Sequence, residues 1–262
     1  MPGGVHRGRV WEPSQGAHDN VSFVAKVFGA LAFVLFVHLW WRSAGLAGSG
    51  PFWVSLSLGP AVVWDLALMG LFFGTHSGFA SERFKRWVAL DRERTRRLYH
   101  VLTFPVMVIV WGLWVPLGSP VVWDLRGTFD VPFLAIRIVA LAGLYWTVRS
   151  FSLPDFFGDK APGTPGAGSV RLSTGGAFAI CRHPLYLFMS LLAAAETYLP
   201  LGRALMAAAL VIYVPIGSRL EEIKLEQEFG ADYARYRART PWLLPTPASI
   251  ARAWPRRVSR GA

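Results

Sequence analysis

A chain of 262 residues that is 53% hydrophobic and 16% charged, with a mean hydropathy of +0.37, lacks the polar surface an ordinary soluble domain requires. Its formal charge of +11 sits in a few segments between apolar runs, the distribution of cytoplasmic anchors, so nucleic acid is excluded as a partner class and membrane lipid is expected. A single cysteine, Cys181, excludes an internal disulfide and a multi-cysteine zinc site.

The first 21 residues are polar, show no small-residue cleavage pattern and are expected to form a cytoplasmic N-terminal segment without a signal peptide. Six candidate spans follow: about Ser22 to Trp41, Pro60 to Gly78, Tyr99 to Leu117, Val131 to Val148, Leu185 to Leu199 and Arg203 to Gly217. The last two are short and joined only by "PLGR", which predicts a tight antiparallel hairpin; five full spans plus a re-entrant element is the alternative. The expected fold is therefore all-α and polytopic, one helical membrane domain over residues 22–245 with a basic cytoplasmic tail over 246–262.

Charge orients this set. Seven Lys or Arg lie in "SERFKRWVALDRERTRR", four between Arg149 and Arg182, and nine from Arg219 onward, whereas the opposite loops hold Arg42, Arg126 and the boundary residue Arg203. The positive-inside rule places both termini in the cytoplasm, as in a bacterial inner-membrane protein. The stretch "FFGDKAPGTPGAGSVRLSTGGAF" is too rich in Gly and Pro for a helix or packed strand and reads as a connector or a lid. It lacks the glycine spacing of a phosphate cradle.

Chemistry concentrates near the C-terminus. In "ICRHPLYLFMSLL", Pro184 suits the first turn of a helix and holds Arg182 and His183 at its cytoplasmic edge, with Tyr186 in the opening turns. Downstream, "SRLEEIKLEQEFGADYARYRART" places Glu221 and Glu222 near the membrane boundary, where a carboxylate needs a partner; Arg182 or a ligand cation would serve. Tyr233 and Tyr236 share a helix face beside Arg235, Arg237 and Arg239. Rings and carboxylates attract a cation and arginine a carboxylate, handles that S-adenosylmethionine needs together, although Tyr and Arg also mark plain membrane interfaces. His76 and Ser77, at the inner end of the second span, either orient an acceptor or bond neighbouring helices. His38 and His100 read as structural, Asp65 is an acid early in span two, and no histidine has the spacing of a metal site.

These motifs carry a resemblance. "CRHPLYL" followed by "EEIKLEQEFGADYARYRARTPWLLP" resembles the isoprenylcysteine carboxyl methyltransferase superfamily, with its Arg-His-Pro-x-Tyr element, later Glu-Glu, Phe-Gly-x-x-Tyr-x-x-Tyr and terminal Pro. His76 and Ser77, Phe84 to Trp87, Glu93 and Arg94, and Trp111 to Pro116 look like the bacterial branch of methanethiol S-methyltransferases and NnrU-like membrane proteins. The likeness covers about residues 60 to 245 and departs at "GGAFAIC", at Phe188 and at "SLPDFFGDK".

The resemblance implies a C-terminal helical hairpin with an S-adenosylmethionine pocket within residues 150–245. Arg182, His183, Tyr186, Glu221, Glu222, Tyr233 and Tyr236 would form or support it, and Pro184 and Pro241 would shape it. It further implies methyl transfer to a small or lipophilic acceptor, a thiol first, with His183 or His76 as the base. The rival is a non-enzymatic NnrU-like membrane component of respiratory, haem or nitrogen-oxide metabolism.

Overall fold

The computed structural model describes residues 15–43, 56–150 and 172–253. The glycine-rich stretch up to residue 171, most of the N-terminal segment and the end of the basic tail lie outside the described residues.

Helix α1 (Gln15–Arg42) begins well before the expected Ser22, continuing out of the apolar stretch Lys26–Trp40. Helices α2 (Leu58–Phe79) and α4 (Arg92–Leu113) flank the short basic helix α3 (Glu82–Val88), whose N-cap Ser81 accepts the Phe84 amide. Asp91 caps α4 in the same way through the Arg94 amide at 2.8 Å. A core of Leu39, Leu68, Met69, Met107, Val110, Trp114 and Met206 fills the space between these helices and the long C-terminal one.

Helix α4 stops at Leu113, short of the expected Leu117, and Asp65, the acid early in span two, with its neighbour Trp64 meets the chain there. Trp64 Nε1 donates to the Leu113 carbonyl at 2.8 Å, and buried Asp65 accepts the Val115 amide at 3.0 Å. Both close backbone groups that the helix end would leave open.

After α4 the chain forms strand β1 (Val121–Asp124), then helix α5 (Asp130–Arg149), a 3-10 turn (Gly176–Ala179) and helix α6 (Pro184–Ala194). Pro184 stands in the first turn of α6, as its fixed φ and missing N–H favour. Phe188 lies against Gly143 of α5 so closely that a Cβ there would come within 2.3 Å of the ring. The bulky residue at this position is thus matched by a missing side chain opposite.

The expected span from Leu185 to Leu199 is corrected here. Helix α6 ends at Ala194, and residues 195–200 run extended into strand β2 (Tyr198–Pro200), which pairs antiparallel with β1 in the register Val121↔Pro200 and Asp124↔Tyr198. Backbone outside a helix must find other partners. The Ala195 carbonyl accepts from Arg137 of α5 at 2.5 Å, the Glu196 carbonyl from Trp123, and the Thr197 carbonyl from the Leu125 amide.

Helix α7 (Leu201–Phe229) is one unbroken 29-residue helix through Pro215, where a span ending at Gly217 was expected. Glu221 and Glu222 are therefore on the same helix that enters the core at Met206. Gly230, with φ of 50°, turns the chain into helix α8 (Ala231–Arg239), and helix α9 (Pro247–Ala253) occupies the start of what reads as a tail. The 3-10 turn likewise gives the end of the glycine-rich stretch a fold.

Among the described residues, three helices, α2, α5 and α7, are long and apolar enough to cross a membrane, and α6 and part of α1 are shorter apolar helices. Their outward faces are apolar, as at Val63, Ile138 and Ile212. An apolar exterior over several such helices is the mark of a multi-pass membrane protein.

Candidate functional site

The end of α8 returns along the entry to α6. The Arg182 amide donates to the Pro241 carbonyl at 2.9 Å and the His183 amide to the Trp242 carbonyl at 3.3 Å, while Trp242 Nε1 reaches Ser218 Oγ on α7 at 3.0 Å. This strap fixes the backbone from which the two cationic side chains project.

Both turn onto one oxygen of α7. Arg182 Nε lies 2.7 Å from Glu222 Oε1, and His183 Nε2 lies 3.1 Å from the same atom. The Arg182 guanidinium also donates to the carbonyls of Thr240 at 2.9 Å and Arg237 at 3.2 Å. His183 Nδ1 faces Glu221 Oε2 at 3.5 Å, so the imidazole stands between two carboxylates. Their exposures differ: the Glu222 side chain is 7% exposed and that of Glu221 51%. One carboxylate is consumed in holding the cluster together, and its neighbour keeps a free edge.

Helix α8 supplies the aromatic wall. Tyr236 donates to the Phe178 carbonyl at 2.8 Å, whereas the fully buried Tyr233 hydroxyl, close to Glu222, has no hydrogen-bond partner of ordinary geometry. Burial, with the nearby negative charge, raises both phenols above their usual value and keeps them protonated donors. Cys181 is buried one residue before Arg182, and desolvation pushes its thiol up to about 11. A thiol so protonated is a poor nucleophile.

On α6, the Tyr186 ring stands 5.8 Å from that of His183 and 6.4 Å from that of Tyr213 on α7. Tyr213 leads into a second cluster. Its hydroxyl bonds Ser77 Oγ at 2.7 Å, and its ring stacks on Phe73 at 4.2 Å. One residue before Ser77, His76 meets the Tyr99 hydroxyl of α4 at 2.7 Å from Nδ1. Among the described residues, no group of three His, Cys, Asp or Glu side chains is placed to hold a metal ion.

Comparison with known proteins finds several methanethiol S-methyltransferases. Over 201 residues the chain is 32% identical to methanethiol S-methyltransferase 2 of Bradyrhizobium diazoefficiens, covering 72% of this chain and 75% of that protein. The chain belongs to the methanethiol S-methyltransferase family. The enzyme of that name from Mycobacterium tuberculosis is 24% identical over 242 residues, spanning 86% of this chain and 97% of the relative. Human nurim is 31% identical over a shorter stretch of 87 residues. No family model matches, and no solved structure does.

Within this family member, Arg182, His183, Tyr186, Glu221, Glu222, Tyr233 and Tyr236 gather at one end of α6, α7 and α8. His76 stands apart, joined to them through Ser77, Tyr213 and Tyr186. Tyr213 and Tyr99 escaped the sequence reading. A signal existed for the first: Tyr213, Gly217 and Glu221 recur at four-residue spacing, one stripe of a helix.

Also unforeseen is a charged cluster at the other end of α6. Glu196 Oε2 receives Arg137 from α5 at 3.0 Å and Arg203 from α7 at 2.9 Å, and Arg203 also donates to the Trp40 carbonyl of α1 at 3.2 Å. Arg203 is buried there, where a boundary residue was expected.

Proposed function

We propose that the protein is an S-adenosylmethionine-dependent membrane methyltransferase whose acceptor is a small thiol, methanethiol being the acceptor for which its relatives are named. The observation that carries the site assignment is the Arg182–Glu222–His183 cluster, which leaves Glu221 with an open carboxylate edge and Tyr233 with a buried hydroxyl lacking a partner. A ligand with a cationic centre and hydrogen-bonding groups satisfies both. The residues present fit the cofactor.

When bound, S-adenosylmethionine supplies an electrophilic methyl group on a positively charged sulfur. Glu221 and the faces of Tyr186 and Tyr233 attract that charge, and Tyr236 fixes the 3-10 turn beside them. Arg182 acts through Glu222 and the α8 carbonyls as a positioning residue. His183, with a carboxylate at each ring nitrogen, holds Glu221 in place. His76, bonded to Tyr99 in the second cluster, receives the proton of the thiol. Glu221, Tyr186 and Tyr233 would hold the bound cofactor, which would supply the methyl carbon for attack by the acceptor sulfur and would leave as the neutral thioether, while His76 would keep the thiol proton. Alignment and exclusion of water supply most of the acceleration.

The same reading sets the protein in a bacterial inner membrane in six crossings, with both termini in the cytoplasm and lipid around its apolar faces. Helix α6 spans about 16 Å, half a bilayer, and the extended residues 195–200 complete the fifth crossing.

Calorimetry of S-adenosylmethionine binding to detergent-purified protein, alongside gas-phase detection of dimethyl sulfide from methanethiol, tests the proposal. Saturable binding with product release is expected. Folded wild-type protein that neither binds cofactor nor forms a thioether would overturn it.

A further inference from the structure

The two polar clusters lie on opposite sides of a pair of tyrosines. Passing from the cytoplasmic ends of α6 and α7 toward α2, the order is Glu222, His183, Tyr186, Tyr213, Ser77 and His76, each in contact with the next or adjacent to it in the chain. A methyl group moves in line between two sulfurs. With the donor beside Glu221 and Tyr186, the acceptor enters from the side of α2 and α4, and Tyr213 stands at the crossing.

Tyr213 is held there on three sides. Its ring lies nearly parallel to Phe73, at 14°, and its hydroxyl is tied to Ser77. The third side is α7 itself, where Gly217 has no side chain. A Cβ on Gly217 would sit 2.7 Å from the Tyr186 hydroxyl and 2.7 Å from the Tyr213 ring. Both rings converge on the helix backbone at a spot that alanine would deny them. A ring tethered at its tip to another helix and seated over a glycine is a rigid partition.

From this geometry we infer that Tyr213, held by Ser77 and Gly217, is the specificity-determining wall of the methyl-acceptor subsite and limits the acceptor to a short alkyl thiol. The inference rests on the methyltransferase reading above and deepens it by naming what limits the acceptor. Tyr186 touches both the His183 side and Tyr213, so cofactor affinity is read alongside every thiol comparison.

The experiment compares methanethiol with butanethiol as acceptors for wild-type protein and for Tyr213→Ala, Tyr213→Phe, Ser77→Ala and Gly217→Ala. Cofactor affinity is measured for each by calorimetry. In Tyr213→Ala, kcat/KM for butanethiol relative to methanethiol is expected to rise at least about tenfold, the scale of discrimination that a few methylenes in an apolar pocket provide. Cofactor Kd should stay within about twofold, a shift well under the 1.4 kcal/mol of a tenfold change. Tyr213→Phe and Ser77→Ala, which cut the tether and keep the ring, should raise KM for methanethiol with little change in kcat.

An unchanged thiol ratio in folded Tyr213→Ala would overturn the wall. Should that variant fail to fold, unchanged thiol KM values in Tyr213→Phe and Gly217→Ala would do so. Failure of the wild type to bind cofactor and methylate either thiol would instead bring down the methyltransferase reading, and the wall with it.

Discussion

A buried carboxylate stands beside each end of helix α6, Glu196 on the chain that leaves it and Glu222 on α7, and the two are built alike. At one end Oε2 of Glu196 is shared by Arg137 and Arg203; at the other, Oε1 of Glu222 is shared by Arg182 and His183. The first joins α5 and α7 to the chain between α6 and β2, and the guanidiniums reach on to the carbonyls of Ala195 and Trp40. Both of its cations are arginines, which stay charged at any physiological pH. The second substitutes a histidine for one arginine and adds a half-exposed carboxylate, Glu221, and a buried phenol without a partner, Tyr233. One cluster uses all its charges to hold helices together; the other leaves a carboxylate edge exposed.

Neutralising each carboxylate in turn tests that distinction most severely. Glu196→Gln leaves two arginines without their counter-charge, and unfolding in detergent should show a loss of about 3–5 kcal/mol, the usual effect of breaking a buried pair. Cofactor affinity of the folded fraction should not change. Glu222→Gln should show the reverse emphasis, because a histidine can stay neutral beside a lost charge and Arg182 keeps two carbonyl partners. Here calorimetry should find S-adenosylmethionine binding weakened at least about tenfold, or 1.4 kcal/mol, with a smaller shift in the unfolding transition. Equal losses of stability in both variants would erase the comparison.

Two smaller effects sharpen it. Tyr233→Phe removes a buried hydroxyl beside Glu222 that makes no hydrogen bond of ordinary geometry, so stability should change little while cofactor affinity falls by about 1 kcal/mol, the worth of one hydrogen bond. Matched scanning calorimetry and titration would separate the two. Cys181, beside the cluster but not part of it, should resist alkylation at pH 8. Its thiol titrates at about 11 because burial disfavours the thiolate, so the reactive form is scarce below that pH and grows as pH rises through it. Rapid labelling of native protein at pH 8, followed by mass spectrometry, would show that this end of α6 is open to solvent.

How much of this could be read from the chain depends on whether the cause is local. The apolar runs announce α2, α5 and α7 because hydropathy is summed along the sequence. Pro184 announces the start of α6 through its own φ and its own missing N–H. That Glu222 pairs with Arg182 follows from the cost of an unpaired acid at that depth. The end of α6 is different. "AETYLP" is apolar enough to extend a span, and its end becomes a strand because β1, 79 residues earlier by the register Val121↔Pro200, pairs with it. Asp65 is similar: its role appears only once Val115 is folded against it. Arg137 and Arg203 were visible as cations amid apolar residues, but the carboxylate uniting them lies on neither helix. Tyr213 was hidden because an aromatic in an apolar helix is ordinarily core.

The length of α7 has a mechanical corollary. From Leu201 to Glu222 the helix rises about 32 Å, just over the roughly 30 Å thickness of a bilayer's hydrocarbon layer. With Leu201 at one face of that layer, the carboxylate cluster would stand where acyl chains give way to headgroups, like a mark near the end of a ruler. Thicker bilayers would draw this mark into oil unless the helix stood more upright, and thinner ones would make it lean. Lipid chain length would thus become a dial on how deep the Arg182–Glu222–His183 cluster lies, set by one uninterrupted helix.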